Sequence, residues 1–211
     1  MLKIKTLSFN PFQVNTYILY NENRECIIVD PACYGSQEEQ TLKSFIEENQ
    51  LTLRKVINTH CHIDHILGNN FVFKTWNVKP SMHEDGKGFL AYAPEYGEAF
   101  GFEIEKPISP EEFLREGDII SLGENELKVL ETPGHADGSI CLYNDKQKFL
   151  IAGDVLFHNS IGRTDLPTGN FETLKKSIYN KLFVLDDDVT VYCGHGPTTT
   201  IGEEKQNNPF L

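Results

Sequence analysis

The chain of 211 residues is 39% apolar, enough for a packed core and well outside a disordered composition, and its length suits one domain. Its 31 acidic residues against 19 basic ones leave a formal charge of −12. With no basic run either, this disfavours a nucleic-acid partner. No apolar run reaches the about 18 residues of a membrane span, and Met1 to Asn10 lacks a signal peptide's apolar stretch.

Lys3 to Phe9 alternates, Thr16 to Tyr20 is β-prone, and Cys26 to Val29 is a short apolar run ended by Asp30-Pro31. Ser36, with Glu39 three residues on, reads as a capping box opening a helix to about Asn49, with Leu42, Phe45 and Ile46 as its apolar stripe. Lys55 to Asn58 reads as a buried strand running into THCHIDH, followed by a helix from Gly68 to Trp76 and a short segment at Ser81 to His83. Residues 84–118 carry Gly86, Gly88, Pro94, Gly97, Gly101, Pro107 and Pro110 with Phe89, Tyr92, Tyr96, Phe100 and Phe102 interleaved. This reads as a helix followed by an irregular, lid-like excursion, whose aromatic residues are expected to anchor the loop rather than touch substrate. Strands return at Ile119 to Leu122, Leu127 to Glu131, Ser139 to Tyr143, Phe149 to Ala152 and Val189 to Cys193. Asn170 to Asn180 is amphipathic, with Phe171, Leu174 and Ile178 on one face. Sheets packed together with helices outside are expected. The five cysteines form no CxxC pair, and Cys26, Cys141 and Cys193 sit in apolar runs, which fits a reducing, cytoplasmic compartment.

Three of the seven histidines fall within six residues, as His60, His62 and His65, with Asp64 among them. In extended backbone, residues two apart point the same way, so His60 and His62 can grip one ion. Asp64 and His65 then come as the chain turns toward the next helix. Imidazole and carboxylate are ligands suited to zinc and also to ferrous iron. His135 in TPGH, Asp154 in GD and His195 in GH each follow a predicted strand, where a rigid sheet commonly presents binding groups. Gly134, Gly153 and Gly194 permit sharp turns and close approach there. His83 reads as a solvated surface residue, while His158, four residues after Asp154, is open to either pocket or solvent. Arg163 and Asp165 are expected to pair with each other or with backbone, at the pocket wall.

At these residues the sequence resembles the metallo-β-lactamase superfamily, whose HxHxDH signature stands here as His60-Cys61-His62-Ile63-Asp64-His65, followed in order by His135, Asp154 and His195. The resemblance runs from the VDP at Val29 to the NPF near the C-terminus. It implies an α/β (α+β) fold, an αββα four-layer sandwich over residues 1–211, with metals at one edge between two sheets. It further implies that His60, His62 and His135 hold one metal and that Asp64, His65 and His195 hold a second. Asp154 would bridge them, and Asp30 would support the metal loop from behind. The expected cofactors are two divalent ions, Zn2+ first, with Fe or Mn as alternatives.

Within that superfamily, GDVLFHNSIGRTDLPTGN and VYCGHGPTTTIGEE are similar to short bacterial members of the glyoxalase II-like group, the hydroxyacylglutathione hydrolases. The implied reaction is thioester hydrolysis by a metal-bridging hydroxide held through Asp64 and Asp154, on a small-molecule thioester that could be glutathione-linked. The C-terminal helical extension that helps full-length glyoxalase II bind glutathione has no counterpart before Leu211. An alternative is a persulfide dioxygenase with one iron on His60, His135 and Asp154, because those enzymes share the GRTD segment and the NP ending. Acidic charge argues against a metal-dependent nuclease, and the completeness of both metal sets against a non-catalytic metal-binding module.

Overall fold

The computed structural model describes residues 1–211. In the first sheet β1 (Lys3–Phe9), β2 (Val14–Tyr20) and β3 (Glu25–Val29) pair antiparallel. β4 (Thr52–Ile57), β5 (Pro80–Met82) and β6 (Glu112–Phe113) then add in parallel, so the six strands lie in chain order. The second sheet begins as an antiparallel meander of β7 (Ile119–Leu122), β8 (Asn125–Glu131), β9 (Ile140–Asn144) and β10 (Phe149–Gly153). A separate two-stranded hairpin, β11 (Leu156–Phe157) with β12 (Ser160–Ile161), interrupts it. β13 (Thr190–Cys193) then pairs parallel with β10, and β14 (Thr199–Thr200) closes the edge.

Successive strand residues bury on opposite faces, which is the consequence of a two-residue period when both faces are covered. Ile27, Val29 and Ile57 of the first sheet meet Leu127, Ile140 and Ile151 of the second. Their neighbours Ile28 and Val56 face outward onto Leu42 and Ile46 of α1 (Ser36–Glu48) and Val72. Leu150 and Val191 face outward from the second sheet onto Leu174, Ile178 and Ile201. The result is the expected αββα sandwich, and each fully buried aliphatic side chain contributes about 1.5–3 kcal/mol to it.

The remaining helices are α2 (Ile63–Ile66), α3 (Asn69–Trp76), which carries Val72, α4 (Lys87–Ala99), α5 (Phe171–Ser177) and α6 (Ile201–Asn207). A π turn over Ile178–Leu182 extends α5. None of the helices is long and apolar enough to cross a membrane.

Several local expectations are corrected. Gly35, not Ser36, caps α1, and no side chain closes that cap. Glu38 instead reaches back to accept from the backbone N–H of Asn10 and Tyr34, so the hairpin competes successfully for the carboxylate nearest the cap. β4 begins at Thr52, earlier than expected, because Thr52 pairs with Glu25 across a register shift. Phe171 is half exposed rather than part of the apolar face, since the first turn of α5 precedes the buried Leu174. His83 is not freely solvated: its Nε2 lies 3.1 Å from Glu131 Oε1 and its Nδ1 accepts from Asp85 N–H.

Candidate metal centre

All seven expected residues meet at one rim, five just past strand ends and two on the short helix α2. His60 and His62 leave β4 in extended backbone, and α2 begins immediately afterwards, with His62 at its N-cap position, carrying Asp64 and His65. His135 follows β8, Asp154 follows β10 and His195 follows β13. One donor atom from each of His60, His62 and His135 lies within 4.8 Å of the other two, and the same holds for Asp64, His65 and His195. Asp154 sits between the two sets. Its Oδ1 is 3.3 Å from His65 Nε2, and its Oδ2 is 3.4 Å from His195 Nε2 and 3.7 Å from His135 Nε2.

The opposite ring nitrogens are tied back into the fold, which fixes ring orientation and tautomer. His135 Nδ1–H donates to the Arg163 carbonyl at 2.8 Å, and His195 Nδ1–H donates to the Phe12 carbonyl at 2.8 Å. His65 Nδ1 is 3.0 Å from Asp30 Oδ2. Thr59 Oγ1 donates to Asp30 Oδ2, leaving its lone pairs for His60 Nδ1 at 3.2 Å. The inward-facing atoms have no such partner: His60 Nε2, His65 Nε2, His135 Nε2 and Asp154 Oδ1 are buried without a hydrogen bond. Buried polar atoms are rarely left so, and four of them turned toward the space between the two sets have the donor chemistry of a divalent-metal centre. A further trio of Asp30, His60 and His65 is also close, but both Asp30 oxygens are already engaged by Thr59 and His65.

Electrostatics separate the two sets. Burial, helped by neighbouring His65 and His62, holds His60 well below the usual imidazole range. Burial and His135 lower His62 to about 4, and burial also lowers His135. Burial opposes charge on His65 and His195 too, but there the carboxylates prevail. Asp154, Asp64 and Asp30 raise His65 well above the ordinary value, and Asp154 and Asp64 raise His195 to about 9. Burial likewise works against the Asp154 carboxylate, but His65 and His195 hold it well below the usual range. Burial thus favours the neutral, lone-pair-donating imidazole in the first set, while the carboxylates favour positive charge beside Asp154 in the second. That is the density a divalent cation would supply.

Close backbone approach makes this possible at Gly194, where a Cβ would collide with Asp154 Oδ1. At Gly134 the backbone has φ +129° and passes against the Leu174 backbone, so any side chain is doubly excluded.

Around the centre lies a cavity of about 640 Å³. His158 lines it, as does Arg163. Arg163 pairs with Asp165 as expected, with Nε and Nη2 donating at 2.8 and 2.7 Å. The aromatic residues of 84–118 divide. Phe102 anchors the excursion against Tyr34, with rings 4.9 Å apart, but Phe89, Tyr96 and Phe100 line the cavity. Sequence reasoning missed Phe12 and Thr59. Phe12 lies in a turn that only the β1–β2 hairpin brings to His195, and Thr59 is told from any strand-end threonine only by its partner Asp30.

The profile described as "Metallo-beta-lactamase superfamily" matches residues 9–195. The chain is 38% identical to "Probable metallo-hydrolase YqgX" of Bacillus subtilis, over all of this chain and 98% of the relative. It is 35% identical to "Hydroxyacylglutathione hydrolase GloC" of Haemophilus influenzae, over all of this chain and 98% of that one. Among solved structures, it superposes on BLEG-1, described as a B3 metallo-β-lactamase, with a TM-score of 0.90, 35% identity and 99% of each chain covered.

Proposed function

Because the chain belongs to the metallo-β-lactamase superfamily of metal-dependent hydrolases, we propose that its reaction is thioester hydrolysis, the bond class that a hydroxyacylglutathione hydrolase cleaves, with the thiol carrier a separate question. One observation carries the metal part of this reading: seven side chains converge, and four of their buried inward atoms, His60 Nε2, His65 Nε2, His135 Nε2 and Asp154 Oδ1, lack a hydrogen-bond partner. The thioester part is supported by similarity to the Haemophilus hydrolase along the whole chain.

In this reading His60, His62 and His135 hold one divalent ion, Asp64, His65 and His195 hold a second, and Asp154 faces both. Ions so placed supply a Lewis acid for a carbonyl oxygen and lower the pKa of a coordinated water toward about 7. The protein's own groups do the rest. The Nδ1 tethers to Asp30, Arg163 and Phe12 keep the rings aimed inward. Phe89 stacks edge-on to His62 at 5.1 Å and Phe157 to His195 at 6.2 Å, so apolar rings flank the centre and thin the water around it. A departing thiolate, with an ordinary pKa of about 8.5, needs no acid to protonate it. That agrees with a cavity whose only Lys or Arg is already paired.

The test is turnover by metal-loaded protein of a panel headed by S-lactoylglutathione, together with the β-lactam nitrocefin and glutathione persulfide. Thioester cleavage that His62→Ala abolishes is expected. Oxygen uptake with the persulfide and no thioester cleavage would overturn the reading.

A further inference from the structure

We propose that the substrate presents an uncharged alkyl or aryl group beside its scissile bond. In this arrangement the group is seated among Phe12, Phe89, Phe100, Phe157, Ile161 and Leu166, rather than a charged peptide such as the glutathionyl group. This rests on the thioesterase reading and names the substrate class within it.

The cavity mouth is apolar from three separate parts of the chain. Phe12 comes from the β1–β2 turn, Phe89 and Phe100 from α4 and its C-terminal cap, and Phe157 and Ile161 from the β11–β12 hairpin. Phe12 and Phe100 meet edge to face at 5.8 Å, yet remain 41% and 56% exposed. Large apolar rings held together at a concave rim and left wet are a surface that a ligand covers favourably. Charge points the same way. A glutathionyl group carries two carboxylates and an ammonium, and carboxylates are recognised by free guanidinium or ammonium groups. Arg163 is the only Lys or Arg lining the cavity, and its Nε and Nη2 donate to the Asp165 carboxylate. His158, the one lining histidine outside the seven, lies 3.6 Å from the buried carboxylate of Glu204. No Lys or Arg without a carboxylate partner lines the cavity to receive a peptide carboxylate.

Burial of one methylene corresponds to about a fourfold gain in binding. For the metal-loaded protein, kcat/KM is measured on S-acyl-N-acetylcysteamines from acetyl to hexanoyl, on S-alkyl thioacetates over the same lengths, and on the matching acyl-glutathiones. The expected result is a rise of about threefold per methylene in at least one neutral series, with the neutral thiol equalling or exceeding glutathione for the same acyl group. Phe100→Ser should cut the hexanoyl-to-acetyl ratio at least fivefold, and its surface position keeps the fold intact. Two flat neutral series, or a glutathione thioester favoured more than tenfold, would overturn the proposal. A second readout is independent of catalysis. The neutral fluorophore N-phenyl-1-naphthylamine should bind and be displaced by n-alkanols with Kd falling about threefold per methylene, and Phe100→Ser should weaken both. If no thioester is cleaved but this order holds, the reaction class fails and the apolar pocket stands. If thioesters are cleaved but the alkanol series is flat, the pocket assignment fails alone.

Discussion

Asp30 Oδ2 lies 3.0 Å from His65 Nδ1, with both residues sealed from solvent. The same carboxylate accepts from the Thr59 N–H at 2.7 Å and from the Thr59 hydroxyl at 2.6 Å. One acid at the end of β3 therefore fixes the chain on both sides of the His60 cluster. Asp30 sits at φ +49°, a conformation that asparagine also tolerates, so Asp30→Asn keeps the backbone while removing the charge and one acceptor. Affinity for the divalent ions should fall about 10–100-fold in Asp30→Asn, read by competition with a chelator. An unchanged affinity would mean His65 is oriented by packing alone.

Gly194→Ala should be more damaging than its size suggests. A methyl there meets Asp154 Oδ1 and the Gly153 backbone at once, so the carboxylate between the two sets must turn away. At least a tenfold loss of metal affinity is expected with an intact far-ultraviolet circular dichroism spectrum. Wild-type affinity would show that Asp154 is dispensable in that rotamer.

The buried Glu204 gives a stability prediction. It accepts from Asn159 N–H at 3.0 Å, the Thr199 hydroxyl at 2.5 Å and Asn208 Nδ2 at 2.7 Å, tying α6 to the hairpin that carries Phe157. Glu204→Ala strands those donors, and about 3 kcal/mol of stability should go with them. For a chain of this length that is a drop in Tm of about 6–12 °C, read by calorimetry. A shift under 2 °C would show that water replaces the carboxylate readily.

All five cysteines are free and buried. Burial pushes the thiols of Cys26, Cys33, Cys141 and Cys193 up to about 12 and raises Cys61 as well. Because the thiolate is the reactive form, the folded protein at pH 8 should resist iodoacetamide for hours and label fully once denatured. Mass spectrometry counts the adducts, and rapid labelling of any native thiol would contradict the burial described.

Most of the architecture was legible because continuous apolar runs such as Cys26 to Val29 fit a strand covered on both faces. The seven-residue constellation was legible too, because His60, His62, Asp64 and His65 crowd one segment and the other three each stand at a strand end. The capping box read as Ser36 with Glu39 failed because the helix starts one residue earlier, with Gly35 at the cap and Ser36 already inside the first turn. The same signal was real at α6 and passed unread: Thr200 accepts from Glu203 N–H in the Thr-Ile-Gly-Glu run. The cavity wall was the least legible part. Phe12, Phe100 and Phe157 are distant in sequence, and no period marks an aromatic residue that faces a cavity rather than a core.

Asp154 stands between the two donor sets, where it would serve both of two divalent ions. Elemental analysis of wild-type and Asp154→Ala protein, each loaded with excess zinc and then dialysed, measures this directly. Two ions per chain are predicted for the wild type and one or fewer for the variant. Two ions retained by Asp154→Ala, or none held by the wild type, would contradict it.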